Sequence, residues 1–304
     1  MPFWRRWTPQ KCRRHKRSLS VPARTPPPIR PSGLGAGGLE LSSIVTTEGI
    51  VHYEMDGRGE PVVLLHGWIN SWAVWRETMI YLAEQQAYRV YALDFWGFGE
   101  SAKEKTPPFK IHSYASMVAQ FLESMGIQSA PVIGHSMGGT VALSFALEHP
   151  ERVHKVGIVS SPLCGGSLNT LLKMGSVPWV ANVLFRIPSV LRFVVWLVLA
   201  GDSTRVQHMI FRDVSRASAE SFFRSIGDLW RTDLSPQIGE IRVPTLGIFG
   251  VQDNIVNPNQ AQVLAAGVPR SQVRMMPNSR HFPMLDEPEP FRQALLSFLS
   301  NGHS

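Results

Sequence analysis

Apolar and polar residues alternate with period two along 41–47 and again along 50–55, with Glu48-Gly49 between the runs and Asp56-Gly57 after them. That pattern predicts an opening β-hairpin. A continuous apolar run at 61–65 predicts a buried strand, after which helical and strand periods take turns: helix 71–85, strand 88–93, helix 111–125, strand 130–133, helix 139–146, strand 153–159. Strict alternation of this kind builds a mostly parallel, doubly wound α/β sheet with helices on both faces. The alternation halts at Ser161-Pro162 and resumes with a strand at 243–249, a helix from Pro258, a strand at 272–276 and a last helix at 289–299. The interval between reads as a helical insertion, so we expect a core at 39–162 and 235–304 and a helical cap at 163–234.

The first half of that insertion is strongly apolar, from Val177 through Trp179, Leu184 and Phe185 to the run Phe193-Val194-Val195-Trp196-Leu197-Val198-Leu199. Pro178, Arg186, Pro188 and Arg192 interrupt it, so it falls short of the roughly 20 apolar residues a membrane span requires. Its apolar faces either close the cap's own core or line an apolar substrate tunnel.

Charge separates a leading segment from the body. The chain of 304 residues carries a net +7, yet Arg5, Arg6, Lys11, Arg13, Arg14, Lys16, Arg17, Arg24 and Arg30 all precede the first acid, Glu40. The body is left with 21 basic and 23 acidic residues, so the overall basicity says nothing about the body's ligand. Residues 1–38 are rich in Pro and Gly and are expected to form a disordered arm. They lack the unbroken apolar segment of a secretory signal. The start Phe3-Trp4-Arg5-Arg6-Trp7 suits an anionic membrane surface, and the lack of acids resembles an organelle transit peptide, against the plain alternative of a solvated arm. No nucleic-acid fold signature accompanies the charge. Two cysteines, Cys12 and Cys164, lie far apart without metal-ligand spacing, which fits a reducing, cytoplasmic location, peripheral membrane contact or organelle targeting through the arm being the alternatives.

Gly134-His135-Ser136-Met137-Gly138 stands between a predicted strand and a predicted helix. A serine on such a tight turn needs small neighbours and presents its hydroxyl openly, which makes Ser136 a candidate nucleophile. A hydroxyl is a poor nucleophile at neutral pH without a base and a group that fixes the base's tautomer. Catalytic groups in parallel sheets gather beyond the carboxyl ends of the strands. Asp253 follows the 243–249 strand and His281 follows the 272–276 strand, so both are candidates; Asp228 and Asp233 are the rival acids. The backbone N–H groups of Met137 and Trp68 are the expected oxyanion donors, and His66, Trp68 and Phe282 the expected pocket wall. His66 reads better as a loop organiser than as a base, His135 as a packing residue, and Asp94 as a tie within its own turn. Neither a cofactor nor a metal is called for.

His66-Gly67-Trp68, the turn Asp94-Phe95-Trp96-Gly97-Phe98-Gly99-Glu100-Ser101, the elbow, and the segments Pro244 to Asp253 and His281 to Pro288 follow one another in order. On these motifs the chain resembles the α/β-hydrolase family from about residue 41 onward, in its capped, esterase-like branch. The resemblance implies a triad of Ser136, Asp253 and His281 acting on an ester-like bond in a mainly apolar small molecule through an acyl-enzyme. Relatives that open epoxides or remove halide carry Asp at the elbow, so Ser136 implies acyl chemistry. Carbon–carbon bond hydrolases, thioesterases and perhydrolases share the triad and remain alternatives, as does a non-catalytic membrane-tethered binding protein. Many relatives have Gly before the histidine where this chain has Arg280, expected here to be solvent-exposed. Oligomeric state has no signature in the pattern.

Overall fold

The computed structural model describes residues 42–103, 109–169, 189, 193 and 204–301. The basic segment 1–38 lies outside the described residues, as does the apolar first half of the insertion apart from Ser189 and Phe193. β1 (Ser43–Thr46) and β2 (Gly49–Gly57) form the expected hairpin, with Val45 opposite Ile50. β2 then runs antiparallel to β4 (Tyr88–Leu93), which pairs in parallel with β3 (Glu60–Leu65). β5 (Ala130–His135), β6 (Val153–Val159), β7 (Thr245–Gly250) and β8 (Ser271–Met276) continue in parallel, giving the order β1-β2-β4-β3-β5-β6-β7-β8.

Burial follows position in the sheet. Every residue of β5 and β7 is buried, whereas β8, at the edge, exposes Gln272, Arg274 and Met275. Strands covered on both faces must be apolar throughout, which is why 130–133 and 245–249 read as continuous runs. α1 (Arg76–Glu84) and α2 (Ile111–Ser124) cover the sheet, and α3 (Met137–Glu148) is buried along all of 137–146.

One element boundary differs from expectation for a local reason. The helix expected from 71 begins as a 3₁₀ turn, Trp72–Trp75, because the Ser71 hydroxyl accepts from the Ala73 amide while the Trp72 amide is drawn to Asp94 Oδ1 at 2.7 Å. The last helix, Pro288–Ser300, lies where it is expected, and a short helix, Pro283–Asp286, precedes it; the two are parted at Glu287, φ −129°, ψ 65°, because the residue before a proline avoids the helical region.

The two ends of the segment between β6 and β7 are bonded to each other. The Leu234 amide donates to Leu163 O and the Gly165 amide to Thr232 O, both within 2.9 Å. The described part of that segment includes a helix pair, α4 (Thr204–Val214) and α5 (Ala219–Arg231). Each is amphipathic, burying Val206 and Ile210 from α4 and Phe222, Ile226 and Leu229 from α5 against the core. Among the described residues no helix is long and apolar enough to cross a membrane.

Candidate active site

Ser136 sits between β5 and α3 at φ 53°, ψ −120°, a conformation that costs a non-glycine residue about 1–3 kcal/mol and persists only where surroundings enforce it. The enforcement is visible. Its amide donates to Val159 O at 2.8 Å, tying the turn to β6. A Cβ on Gly134 would collide with the Gly138 backbone, and one on Gly138 with the carbonyls of Leu65 and His66. Both glycines are therefore required by close approach. The Ser136 hydroxyl makes no capping bond to α3, which keeps it available, and the Met137 amide heads the helix as one of its unpaired donors.

Asp253 and His281 meet. His281 Nδ1 donates to Asp253 Oδ2 at 2.8 Å, with both side chains at most 5 % exposed. The other carboxylate oxygen of Asp253 accepts from the amides of Ile255 at 2.8 Å and Val256 at 3.0 Å, so the acid cannot rotate away. The loop carrying His281 crosses the end of β7, where a Cβ on Gly250 would strike the carbonyls of Ser279 and Arg280. The rival acids are elsewhere: Asp228 accepts from the Ile111 amide at the start of α2, and Asp233 from the Ser235 amide.

The loop after β3 closes on the same place, since a Cβ on Gly67 would stand 3.1 Å from Ser136 Cβ. His66 is fully buried. Its Nδ1 donates to Gly67 O at 2.7 Å and its Nε2 accepts from the Phe95 amide at 3.0 Å. Burial lowers its pKa to about 4, so it is a neutral ring organising the loop. Phe282, 2 % exposed, packs edge-on to His281 and 4.9 Å from the His135 ring, a buttress for the histidine. Trp68 is half-buried, its indole Nε1 donating to Phe222 O of α5 at 2.8 Å and its ring 4.4 Å from that of Phe222. Its amide makes no hydrogen bond among the described residues. Trp75 and Trp96 are core.

His135 does more than pack. Its Nε2 donates to His281 O at 2.8 Å, and the two rings lie 4.8 Å apart. Burial, and then the neighbouring His281, hold its pKa well below the usual imidazole value. Alternation along β5 places its side chain on the face opposite a neighbouring residue but carries no hint of a partner 146 positions away. Asp94 does tie its turn, accepting from Glu100 N at 2.9 Å as well as from Trp72 N. Its seclusion, only partly offset by those two amides, pushes its carboxyl up to about 7. Arg280 is half-buried rather than exposed. Its amide donates to Asp286 Oδ2 at 2.9 Å, and its charge pulls down an Asp286 carboxyl that burial raises. Among the described residues no group of three His, Cys, Asp or Glu side chains could hold a metal ion.

Residues 60–184 match the family model described as alpha/beta hydrolase fold. Over 256 residues, 80 % of this chain and 94 % of the relative, the sequence is 31 % identical to a pimeloyl-[acyl-carrier protein] methyl ester esterase of Edwardsiella ictaluri. It is 28 % identical, over 83 % of this chain and 92 % of the relative, to a 2-hydroxy-6-oxononadienedioate/2-hydroxy-6-oxononatrienedioate hydrolase of Comamonas testosteroni. The fold matches that of an esterase from Exiguobacterium antarcticum with a TM-score of 0.74 at 23 % identity, covering 83 % of this chain and 96 % of that one. The order of the parallel strands, the strained serine between β5 and α3, and these likenesses lead to one assignment: the chain belongs to the α/β-hydrolase family.

Proposed function

We propose that the protein is a serine hydrolase that cleaves an ester-like bond in a mainly apolar small molecule through an acyl-enzyme. The observation that carries this reading is the 2.8 Å bond from His281 to a carboxylate whose other oxygen is already pinned by two amides. A carboxylate so fixed holds the imidazole in the tautomer whose Nε2 lone pair is free to accept a proton. Ser136 attacks the substrate carbonyl, His281 takes its proton and returns it to the leaving group, and Asp253 stabilises the imidazolium between. The amides of Met137 and Trp68 stabilise the oxyanion, each donor contributing about 3 kcal/mol to the transition state.

The test is covalent. A fluorophosphonate should label the wild-type protein at Ser136 and leave Ser136→Ala unlabelled, and the same substitution should abolish turnover of a short p-nitrophenyl ester. Equal labelling of both proteins overturns the assignment. The likeness to the Comamonas testosteroni hydrolase favours carbon–carbon bond cleavage as the second reading. Turnover of a vinylogous diketone acid in preference to a panel of esters would select it.

A further inference from the structure

The loop that carries Trp68 holds a strained residue, and two of the bonds that restrain it come from the inserted helices. Ile69 adopts φ 55°. For a β-branched side chain that left-handed conformation is a true outlier, and it survives only when the chain on both sides is fixed. On the N-terminal side the Trp68 indole is fastened to Phe222 O of α5. On the C-terminal side the Ser71 hydroxyl donates to Asp213 Oδ2 of α4 at 2.9 Å while accepting from the Ala73 amide. Two further bonds come from outside the inserted helices, the Trp72 amide to Asp94 and the Asn70 amide to Gly67 O at 3.2 Å.

Asp213 is an unusual residue for an amphipathic surface helix. Its side chain is fully buried, with the second oxygen accepting from Arg212 Nε at 2.8 Å. Burying a carboxylate is costly unless its oxygens are engaged, so its position is explained by what it holds. What it holds is Ser71, three residues from Trp68 and two from the strained Ile69.

We infer that Asp213 is a positioning residue: through Ser71 it keeps Ile69 strained and the Trp68 amide aimed at the oxyanion, so that the seating of the inserted helices and the catalytic competence of the loop are one event. This rests on the proposed acyl-transfer reading. Without the Asp213–Ser71 bond, Ile69 can relax toward negative φ and the amide turns away from the developing charge. Ground-state binding makes no use of that donor, so the loss should fall on kcat and spare KM.

Asp213→Ala and Ser71→Ala are therefore expected to lower kcat for a p-nitrophenyl ester about 10- to 100-fold with KM within twofold. Inhibition by a trifluoromethyl ketone, which becomes a tetrahedral oxyanion on Ser136, should weaken by the same factor. Asp213→Asn, whose amide oxygen still accepts from Ser71, should recover most of the activity. Combining Asp213→Ala with Ser71→Ala should cost little more than either alone, because both remove one bond. The proposal falls if Ser71→Ala keeps kcat within twofold of wild type, or if kcat and ketone affinity fail to move together. Fluorophosphonate labelling of the wild type separates the two levels. An unlabelled wild type removes the hydrolase reading itself, whereas a labelled wild type with unmoved variants removes only the role of Asp213.

Discussion

The two halves of the site are held in place by different means. Asp253 and His281 sit on loops directly after β7 and β8, and the bonds that fix them are made at that end of the sheet: the Ile255 and Val256 amides, the crossing over Gly250, and His135 on His281 O. The loop after β3 is fixed by Phe222 and Asp213 of the inserted helices and by Asp94 of the next turn. The two carboxylates show the contrast. Asp253 accepts from its own loop and from a histidine, while Asp94 is sealed in the core as a pin between two backbone segments. In our reading the bonds around Asp253 and His281 are all made at one end of the sheet, whereas the Trp68 donor is held from the inserted helices, so only that donor depends on how the insertion is seated.

The strongest way to break this comparison is at the local half. Asp253→Asn should keep the bond geometry but present the wrong tautomer to His281, lowering kcat/KM for an ester substrate by roughly 10³- to 10⁴-fold. Thermal unfolding should move little, since the loop amides keep an acceptor. A loss below tenfold would remove Asp253 from the proton-handling role. Next in size is the pin of the other half. Asp94→Ala strips the acceptor from the Trp72 and Glu100 amides, and each donor left orphaned costs about 1–3 kcal/mol. The urea midpoint should drop accordingly, and an unchanged midpoint would show that Asp94 is no pin.

How much of each half was legible follows from the range of its interactions. The elbow, Asp253 and His281 depend on glycines, strand ends and chain order, which are written in a few adjacent letters such as Gly134 to Gly138. The parallel sheet was equally open to reading, since its buried strands are continuous apolar runs. Asp213, Ser71 and Phe222 gave no such signal. Ser71 and Asp213 are 142 positions apart, and a lone acid at helical spacing reads as solvated surface. The bond from His135 and the contact of Phe282 with His281 were hidden for a related reason, because residue type tells that a side chain is buried but not which backbone it supports. Arg280 reads as exposed by its charge, and only the fold brings Asp286 to its side.

A pH titration sharpens the comparison further, because the buried rings and the buried acid pull in opposite directions. His66 and His135 are neutral in the fold with lowered pKa values, His66 at about 4. Between about pH 6.5 and 4 the unfolded chain binds those two protons and the native state does not. Asp94, raised to about 7, does the reverse: it keeps its proton in the fold while the unfolded carboxyl has lost it. Two rings against one acid favour the unfolded state, with Asp286, raised by burial, opposing them and Glu287, lowered by its hydrogen bonds from Ser279 and Asn278, adding to them, so stability should fall as pH drops through this window. Urea midpoints taken from pH 6.5 to 4.5 test the sign. His66→Gln, which removes one of the two rings, should flatten the slope, and an unchanged slope would mean that His66 is charged in the fold.

The smallest expected effect tests whether charge or backbone clasps the insertion to the core. Arg216 and Glu100 form a 2.6 Å ion pair between the α4–α5 turn and the turn that Asp94 ties, yet their side chains are 45 % and 51 % exposed. Beside that pair, the Ser218 amide donates to Gly97 O at 3.0 Å and the Ser221 hydroxyl to the same carbonyl at 2.8 Å. Gly97 adopts φ 85° against Ser221, where a Cβ would collide. Exposed pairs contribute at most about 1 kcal/mol and are screened by salt, whereas the serine bonds lie where water cannot replace them. Arg216→Ala should therefore shift the unfolding free energy by about 0.5 kcal/mol or less, keep kcat within twofold, and leave the salt dependence of stability unchanged. A loss near 2 kcal/mol that vanishes in 1 M salt would move the clasp from the Gly97 carbonyl to the ion pair, and with it the link by which the inserted helices reach the Asp94 turn.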